Sequence, residues 1–243
     1  MSSLSTPASA RTLHAVSAAA HLVVAIALGA LAVAQASILL PVALSVPLGT
    51  EIGVFAQVDF AAASAIVVLI GATAHLALAL GAAGDGVRAR LPQLVAFAQA
   101  SGITLFLVAQ LNGVTEAGTL ILVYAFGGGA AGLLWLQARE TDDRLRARWP
   151  FSFGAGLAVV PWGIVALYQV VALVAGSPPA PVVRVLTVIV LLVVALAWWV
   201  ERRWQLGLTS AQRAALLHST LSVANGIALL VLAAALARPP ALL

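Results

Sequence analysis

The stretch "STLSVANGIALLVLAAALA" places Asn225 and Gly226 at the centre of a long apolar run. An amide side chain is costly in hydrocarbon unless it finds hydrogen-bond partners, and glycine adds nothing to helix stability. We expect Asn225 to bond a neighbouring helix or a backbone carbonyl. A second interpretation remains open, in which the amide donates and accepts hydrogen bonds to a ligand.

Two histidines, His21 and His75, also lie inside apolar runs. Each is about nine residues from one end of its run, or roughly 13 Å deep at 1.5 Å per residue, so the two rings could face each other. An ionisable group inside a membrane is a candidate functional residue. We favour a structural hydrogen bond between helices, with both rings neutral, while a pH response stays open. No metal site is expected, because two histidines without a nearby carboxylate or thiol fall short of the usual ligand number.

Several kinds of chemistry are missing from the chain. All 12 basic residues are arginine, and there is no lysine or cysteine. Guanidinium stays protonated, so no side chain can condense with an aldehyde. No nucleotide loop, catalytic triad or HExxH motif occurs, so we expect neither an enzyme nor a nucleic-acid partner. A lipid-directed enzyme would have to use His14 and His218, and no acid is near either of them in sequence.

The composition requires a membrane. Of the 243 residues, 63% are hydrophobic and 8% are charged, against roughly 25% charged in soluble domains. A spanning helix needs about 20 mostly apolar residues. The sequence therefore predicts a multi-pass protein of the cell membrane, with one seven-helix domain over residues 1–243. The predicted helices lie approximately at 12–36, 59–83, 91–112, 116–139, 151–175, 181–201 and 211–237.

The connection between helices 1 and 2 is the longest one. It contains Pro41, Pro47 and Gly49, and apolar and polar residues alternate around Glu51. A short strand or hairpin is one interpretation of this pattern. The first apolar run is too long for a signal peptide.

The arginines predict the orientation of the bundle. With a cytoplasmic N-terminus, ten arginines fall in cytoplasmic segments, and only Arg184 and Arg238 fall outside. Arginines in short loops stay on the cytoplasmic side. We therefore predict a cytoplasmic N-terminus and an extracellular C-terminus, the inverse of G-protein-coupled receptors and ordinary microbial rhodopsins.

With this topology the chain resembles the heliorhodopsins along nearly its whole length. Helices 1 and 2 each carry the family's histidine, in "AAAHLVVAI" and "GATAHLAL". Helix 4 opens with "EAGTLILVYAF" and helix 5 with "WPFSFGAGLAVVPWGIV". A double proline, "SPPAP", precedes helix 6, and helix 7 contains "LSVANGIALL". The motifs occur in the family's order and on the family's helices.

The departures from the family surround one presumed pocket. The heliorhodopsin lysine that carries retinal as a protonated Schiff base corresponds to Asn225, and the family's glutamate counterion corresponds to Ala96, which Phe97 follows. The segment "GGGAAG", from Gly127 to Gly132, replaces larger and more polar residues that line retinal in the family. Loss of the cation and of its counterion is consistent, because a lone buried carboxylate would cost several kcal/mol.

The resemblance implies a heliorhodopsin-like protein that cannot bind retinal covalently. We expect a regulatory, structural or apolar-ligand-binding role, no ion pumping and no cofactor, while free retinal or another apolar ligand in the pocket is left open. Candidate pocket residues are Asn225, Ala96, His21, His75, Trp162, Phe97 and Gly127. The resemblance also implies a homodimer through helices 4 and 5. The lipid bilayer is the other expected partner, and a membrane or cytoplasmic protein partner is left open.

Two alternatives remain: a small-solute transporter or channel, and a light sensor with a non-covalent chromophore. A transporter needs polar groups along its path, and helix 6 offers only Thr187 within its span. Helix 3 carries Gln99 and Gln110, which are eleven residues apart and share a face. We expect that face to point into the bundle, because lipid offers no hydrogen bonds.

Overall fold

The described residues form seven long helices and one pair of antiparallel strands. A computed structural model describes residues 7–34, 36–45, 52–80, 91–139 and 149–237. All seven helices are long and apolar enough to cross a membrane, which confirms the predicted number. The elements are α1 Pro7–Val33, β1 Leu39–Ser45, β2 Ile52–Asp59, α2 Phe60–Leu80, α3 Leu91–Leu111, α4 Ala117–Arg139, α5 Trp149–Val174, α6 Pro181–Gln205 and α7 Ala211–Leu236. The largest differences from prediction are the earlier start of α1 and the later end of α6.

Local signals set the boundaries of α6 and α7. Pro181 occupies the first turn of α6, where a proline ring costs no hydrogen bond. The helix ends at a turn in which Gly207 has φ +70°, a conformation that glycine adopts most readily. The hydroxyl of Ser210 then accepts a hydrogen bond from the amide of Arg213 and caps α7.

Neighbouring helices pack in a closed ring. Each of α1 to α6 packs against the next helix along the chain, and α7 returns to pack against α1 and α2. Helix α3 also contacts α5 and α6, so it is the most central helix. Since consecutive spans run in opposite directions, α1, α3, α5 and α7 begin at the same end. We call this the inner end, following the orientation predicted from the arginines.

The connection between α1 and α2 forms an antiparallel hairpin at the outer end. Leu39 pairs with Asp59 and Ser45 with Ile52, with an irregularity between Val42 and Ala43. The amide of Ala43 also donates to the carbonyl of Thr115 over 2.8 Å, which joins the hairpin to the start of α4. The strand interpretation is confirmed for these two paired strands, while Pro47, Gly49 and Glu51 lie outside the residues that the structure describes.

Glu116 caps the first turn of α4 at the outer end. Its carboxylate accepts hydrogen bonds from the amides of Thr119 at 2.6 Å and Gly118 at 2.9 Å. These bonds hold the pKa of Glu116 below its ordinary value. The cap is therefore retained at neutral pH and is lost as the pH falls through that lowered pKa.

The outer half of the bundle is filled by apolar side chains. The core cluster there contains side chains that are at most 2% exposed, including Leu28, Phe60, Leu107, Leu229 and Leu232. A polar junction is embedded in this half. Asn112 donates to Thr187 over 3.0 Å and accepts from Gln169 at 2.7 Å, so it joins α3, α5 and α6.

The orientation can be tested with single cysteines, because the chain has none of its own. Ser177 and Gln212 are exposed at opposite ends of the bundle. We expect a membrane-impermeant maleimide to label Ser177→Cys in intact cells and Gln212→Cys only after lysis. The reverse labelling pattern would contradict the predicted orientation.

Candidate functional site

A cavity lies between α2, α3, α6 and α7 in the inner half of the bundle. It holds about 660 Å³ of atom-free space, counting the volume at its open side. Its apolar lining includes Ala96, Phe97, Val193 and Leu221. Its polar lining consists of His75, Gln93, Ser101, Thr104, His218, Ser222 and Asn225. The lining is therefore mixed, with polar groups on three of the four helices.

Asn225 lies at the deep end of this cavity, about 21 Å along α7 from Ala211 at 1.5 Å per residue. Its Nδ2 donates to Thr104 Oγ1 on α3 over 3.2 Å. Its Oδ1 is buried and accepts no hydrogen bond from any residue that the structure describes. The expected bond to a neighbouring helix is present, and half of the amide is still unsatisfied.

Three histidines form a column beside the cavity. The His14 and His75 rings are stacked with centroids 5.3 Å apart, and one Nδ1 donates to the other over 3.1 Å. The His75 and His21 centroids are 5.2 Å apart. His21 and His75, which the sequence left free to face each other, do face each other, and His14 extends the set by one ring.

His21 is linked to the cavity indirectly. Its Nδ1 donates to the Ser17 carbonyl over 2.7 Å, and its Nε2 lies 2.9 Å from Ser222 Oγ, which lines the cavity. A Cβ on Gly71 would lie only 2.7 Å from the His21 ring. The glycine at this position lets α2 approach the ring, so His21 supports the wall rather than forming it.

A buried carboxylate stands behind the cavity at the inner end. Glu201 on α6 is 1% exposed, and its Oε2 lies 3.2 Å from Nε2 of His218 on α7. His218 also meets the edge of Phe97, with ring centroids 6.0 Å apart. The sequence prediction placed no acid near His218 along the chain, and the fold supplies one. The prediction ended helix 6 at residue 201, whereas the helix continues to Gln205 and carries Glu201 inside the bundle.

The seven predicted pocket residues divide into two groups. Asn225, Ala96, His75 and Phe97 line the cavity together. The other three, His21, Trp162 and Gly127, lie outside the lining.

Trp162 and Gly127 lie outside the cavity because each packs against another part of the bundle. Trp162 is partly buried against the main apolar core. A Cβ on Gly127 would lie 2.7 Å from Leu105 and 3.3 Å from the Gly102 Cα, so this glycine allows α3 and α4 to pack closely. The small residue serves a helix contact behind the pocket.

The structure also bears on the two glutamines of helix 3 and on the expected absence of a metal site. The prediction that Gln99 points inward with Gln110 was wrong: Gln99 is exposed, and its Oε1 accepts from the Tyr124 hydroxyl on α4 over 2.6 Å. Gln110 is buried and donates to the Pro41 carbonyl in the hairpin. Among the described residues, no three histidine, cysteine or acidic side chains are grouped so that they could hold a metal ion.

The Glu201–His218 pair should couple α6 to α7 energetically. We expect His218→Leu and Glu201→Leu each to destabilise the protein, because each leaves a buried polar partner behind. The double variant should cost about 1–2 kcal/mol less than the sum of the two single variants. Thermal unfolding in detergent measures the coupling, and additive costs would show that the contact contributes nothing.

The family comparison agrees with this architecture. A family model described as heliorhodopsin matches residues 7–205, which is most of the chain. The match ends before α7, the helix that carries Asn225. No curated protein matches the chain. Given the seven helices and the extent of the match, the chain belongs to the heliorhodopsin family.

Proposed function

We propose that this protein is a heliorhodopsin that binds no retinal covalently and acts as a regulatory or ligand-binding membrane protein. The observation that carries the proposal is the absence of any lysine, together with Asn225 in the cavity wall at the position that resembles the retinal attachment site. An amide nitrogen is delocalised into its carbonyl, so it does not attack an aldehyde. A covalent pigment therefore has no side chain on which to form.

The counterion position supports the same proposal. Ala96 lines the same cavity as Asn225, so the residue that would balance a protonated Schiff base carries no charge. The described lining residues include no arginine, aspartate or glutamate. A buried iminium without such a partner would be costly, which makes a cationic chromophore unfavourable here.

The packing of the outer half disfavours the transporter and channel alternative. Leu107, Leu229 and Leu232 are at most 2% exposed and fill the bundle beyond the cavity. A conducting path needs polar or charged groups along its length. The polar lining of the cavity, in the described part of the chain, ends at Thr104 and Asn225 near the middle of the bundle, so we propose no ion pumping.

We propose no catalytic role for the Glu201–His218 pair. The two groups join α6 to α7, and Glu201 is also held by Gln205, whose Nε2 donates to it over 3.2 Å. These contacts support a structural link between two helices. A lipid-directed enzyme would need its acid exposed at the membrane interface, whereas this carboxylate is buried.

The experiment that tests the proposal is reconstitution with all-trans retinal. We expect no visible absorption band, and any near-ultraviolet absorption should be removed by washing in detergent. Apo protein and a covalent pigment-forming heliorhodopsin serve as controls. A visible band that survives denaturing extraction would refute the proposal. A visible band that washes out would favour the light sensor with a non-covalent chromophore.

A homodimer through α4 and α5 is proposed from the family resemblance. Only 11% of the α5 span is buried in the protomer, and no side chain lies within 4 Å of a Cβ built on Gly129 or Gly132 of α4. Small residues permit close contact between helices. The mass of the protein in detergent tests the dimer, and a monomer at all concentrations would refute it.

A further inference from the structure

The deep end of the cavity presents hydrogen-bond acceptors. Asn225 uses its Nδ2 on Thr104, so the group left without a partner is the Oδ1 acceptor. A buried acceptor that is left unpaired costs about 1–3 kcal/mol. The group that would recover this energy is a donor, either O–H or N–H.

The tautomer of His21 identifies a second acceptor. Its Nδ1 lies 2.7 Å from the Ser17 carbonyl, which can only accept, so Nδ1 carries a proton. His21 is 2% exposed and forms no ion pair with a described carboxylate, so burial favours the neutral ring. In the neutral ring Nε2 is an acceptor, and the Ser222 hydroxyl must donate to it over 2.9 Å.

Ser222 therefore turns its lone pairs, and not its proton, toward other partners. It precedes Asn225 by three residues on α7, so the two side chains share one face of the helix, and both line the cavity. Two acceptors thus stand side by side where a family chromophore would have its linkage. An aldehyde oxygen, which is also an acceptor, is poorly matched to this pair.

The rest of the lining restricts the ligand further. Apolar residues such as Ala100, Val194 and Leu221 surround the path to Asn225, so they suit a hydrocarbon chain. No carboxylate lines the described wall, so a buried ammonium would lack a counterion. The donor must therefore be neutral. A neutral amide N–H would bring a carbonyl acceptor with it, which this pair of acceptors does not match, so a hydroxyl group is the simplest donor.

We propose that the cavity binds a neutral primary alcohol on an extended apolar chain. The Asn225 side chain turns so that its buried Oδ1 faces the cavity and accepts a hydrogen bond from the hydroxyl, beside Ser222. This inference rests on the proposed ligand-binding function and names its ligand class. The hydroxyl head group of the ligand gives specificity, and its hydrocarbon chain contacts the apolar side chains of the cavity wall. Polyene and saturated alcohols share this chemistry.

Head-group series test the proposal on the intact protein. All-trans retinol, retinal and retinyl methyl ether share one chain, and hexadecanol and its methyl ether give a saturated pair. Quenching of tryptophan fluorescence measures affinity in detergent, and a thermal shift checks it. The alcohol can donate a hydrogen bond to Asn225, whereas its methyl ether has no proton to donate. The free energy of one such bond predicts that each alcohol binds roughly 3- to 10-fold more tightly than its ether. Retinal should also bind more weakly than retinol.

Substitution of the acceptor provides the matched comparison. In Asn225→Leu, which keeps a similar side-chain volume, the alcohol-to-ether ratio should fall to about one. Thr220→Val is the control, because Thr220 is exposed on the same helix and bonds only the Leu216 carbonyl. This control should keep the wild-type ratio.

Several results would overturn the inference. The first is a wild-type protein that binds the alcohols no more tightly than their ethers. The second is retinal binding as tightly as retinol, and the third is that none of the tested ligands binds. If Asn225→Leu does not fold, the wild-type series alone decides between these outcomes. A covalent retinal band would instead refute the proposed function, whatever the head-group ratio, so the two failures are distinguishable.

Discussion

Asn225→Lys combined with Ala96→Glu is expected to give this chain a coloured pigment with all-trans retinal. The lysine supplies the missing amine, and the glutamate supplies a counterion for the protonated imine. Both positions line the same cavity, so the two new groups enter a common space. Absorption spectra before and after reconstitution measure the effect, and a band that survives denaturation establishes the covalent bond.

The single variants are the controls for this gain of function. Asn225→Lys alone should form an imine that stays unprotonated and absorbs in the near ultraviolet, because the cavity wall offers the cation no carboxylate. Ala96→Glu alone should form no pigment. A folded double variant without any retinal-dependent band would mean that the cavity does not admit the polyene, which would also weaken the alcohol proposal.

Gly102→Val is expected to destabilise the protein by about 2–3 kcal/mol, the range typical of overpacking. A Cβ at Gly102 would lie 2.8 Å from the Tyr124 ring and 2.9 Å from the Tyr124 carbonyl oxygen. The ring can rotate away, but the backbone oxygen can move only if α4 moves. Thermal unfolding in detergent should therefore show a clearly lower midpoint.

Gly29→Val provides the matched control for this substitution. It makes the same change within a transmembrane helix, and nothing lies within 4 Å of a Cβ built on Gly29. We expect its midpoint to stay close to that of the wild type. Equal losses in the two variants would show that helix propensity, and not the contact between α3 and α4, sets the cost.

The helices could be predicted from sequence because lipid imposes a simple rule. A chain that crosses hydrocarbon must satisfy its own backbone, and long apolar runs between breakers reveal where it does so. The predicted 91–112 and the observed Leu91–Leu111 differ by one residue. The hairpin between α1 and α2 was left as one interpretation, because alternation over a few residues is a weak signal.

The contact between Glu201 and His218 could not be read from the sequence. The run "ERRW" resembles a polar loop, so helix 6 appeared to end at its first residue. The continuation to Gln205 follows from Gly207, whose positive φ closes the helix two residues later. A glycine after arginines in the last turn was the available signal, since it is typical of a helix C-terminus.

Side-chain direction limited the rest of the site prediction. Gln99 and Gln110 share a helical face by spacing, yet one bonds Tyr124 at the protein surface and the other bonds the hairpin. The spacing fixes a face but not the neighbours across it. Gly127 illustrates the same limit, because the resemblance suggests a pocket position and only the packing shows that α3 lies against this glycine.

The Asn112 junction between α3, α5 and α6 has a consequence for how the molecule exchanges material with its surroundings. It ties three helices together beyond the end of the cavity, among side chains such as Leu107 and Leu229. A guest that entered the cavity from the inner end would meet this junction and would have to leave by the same end. We therefore expect exchange at one end of the bundle, with no passage to the other end through the residues that the structure describes.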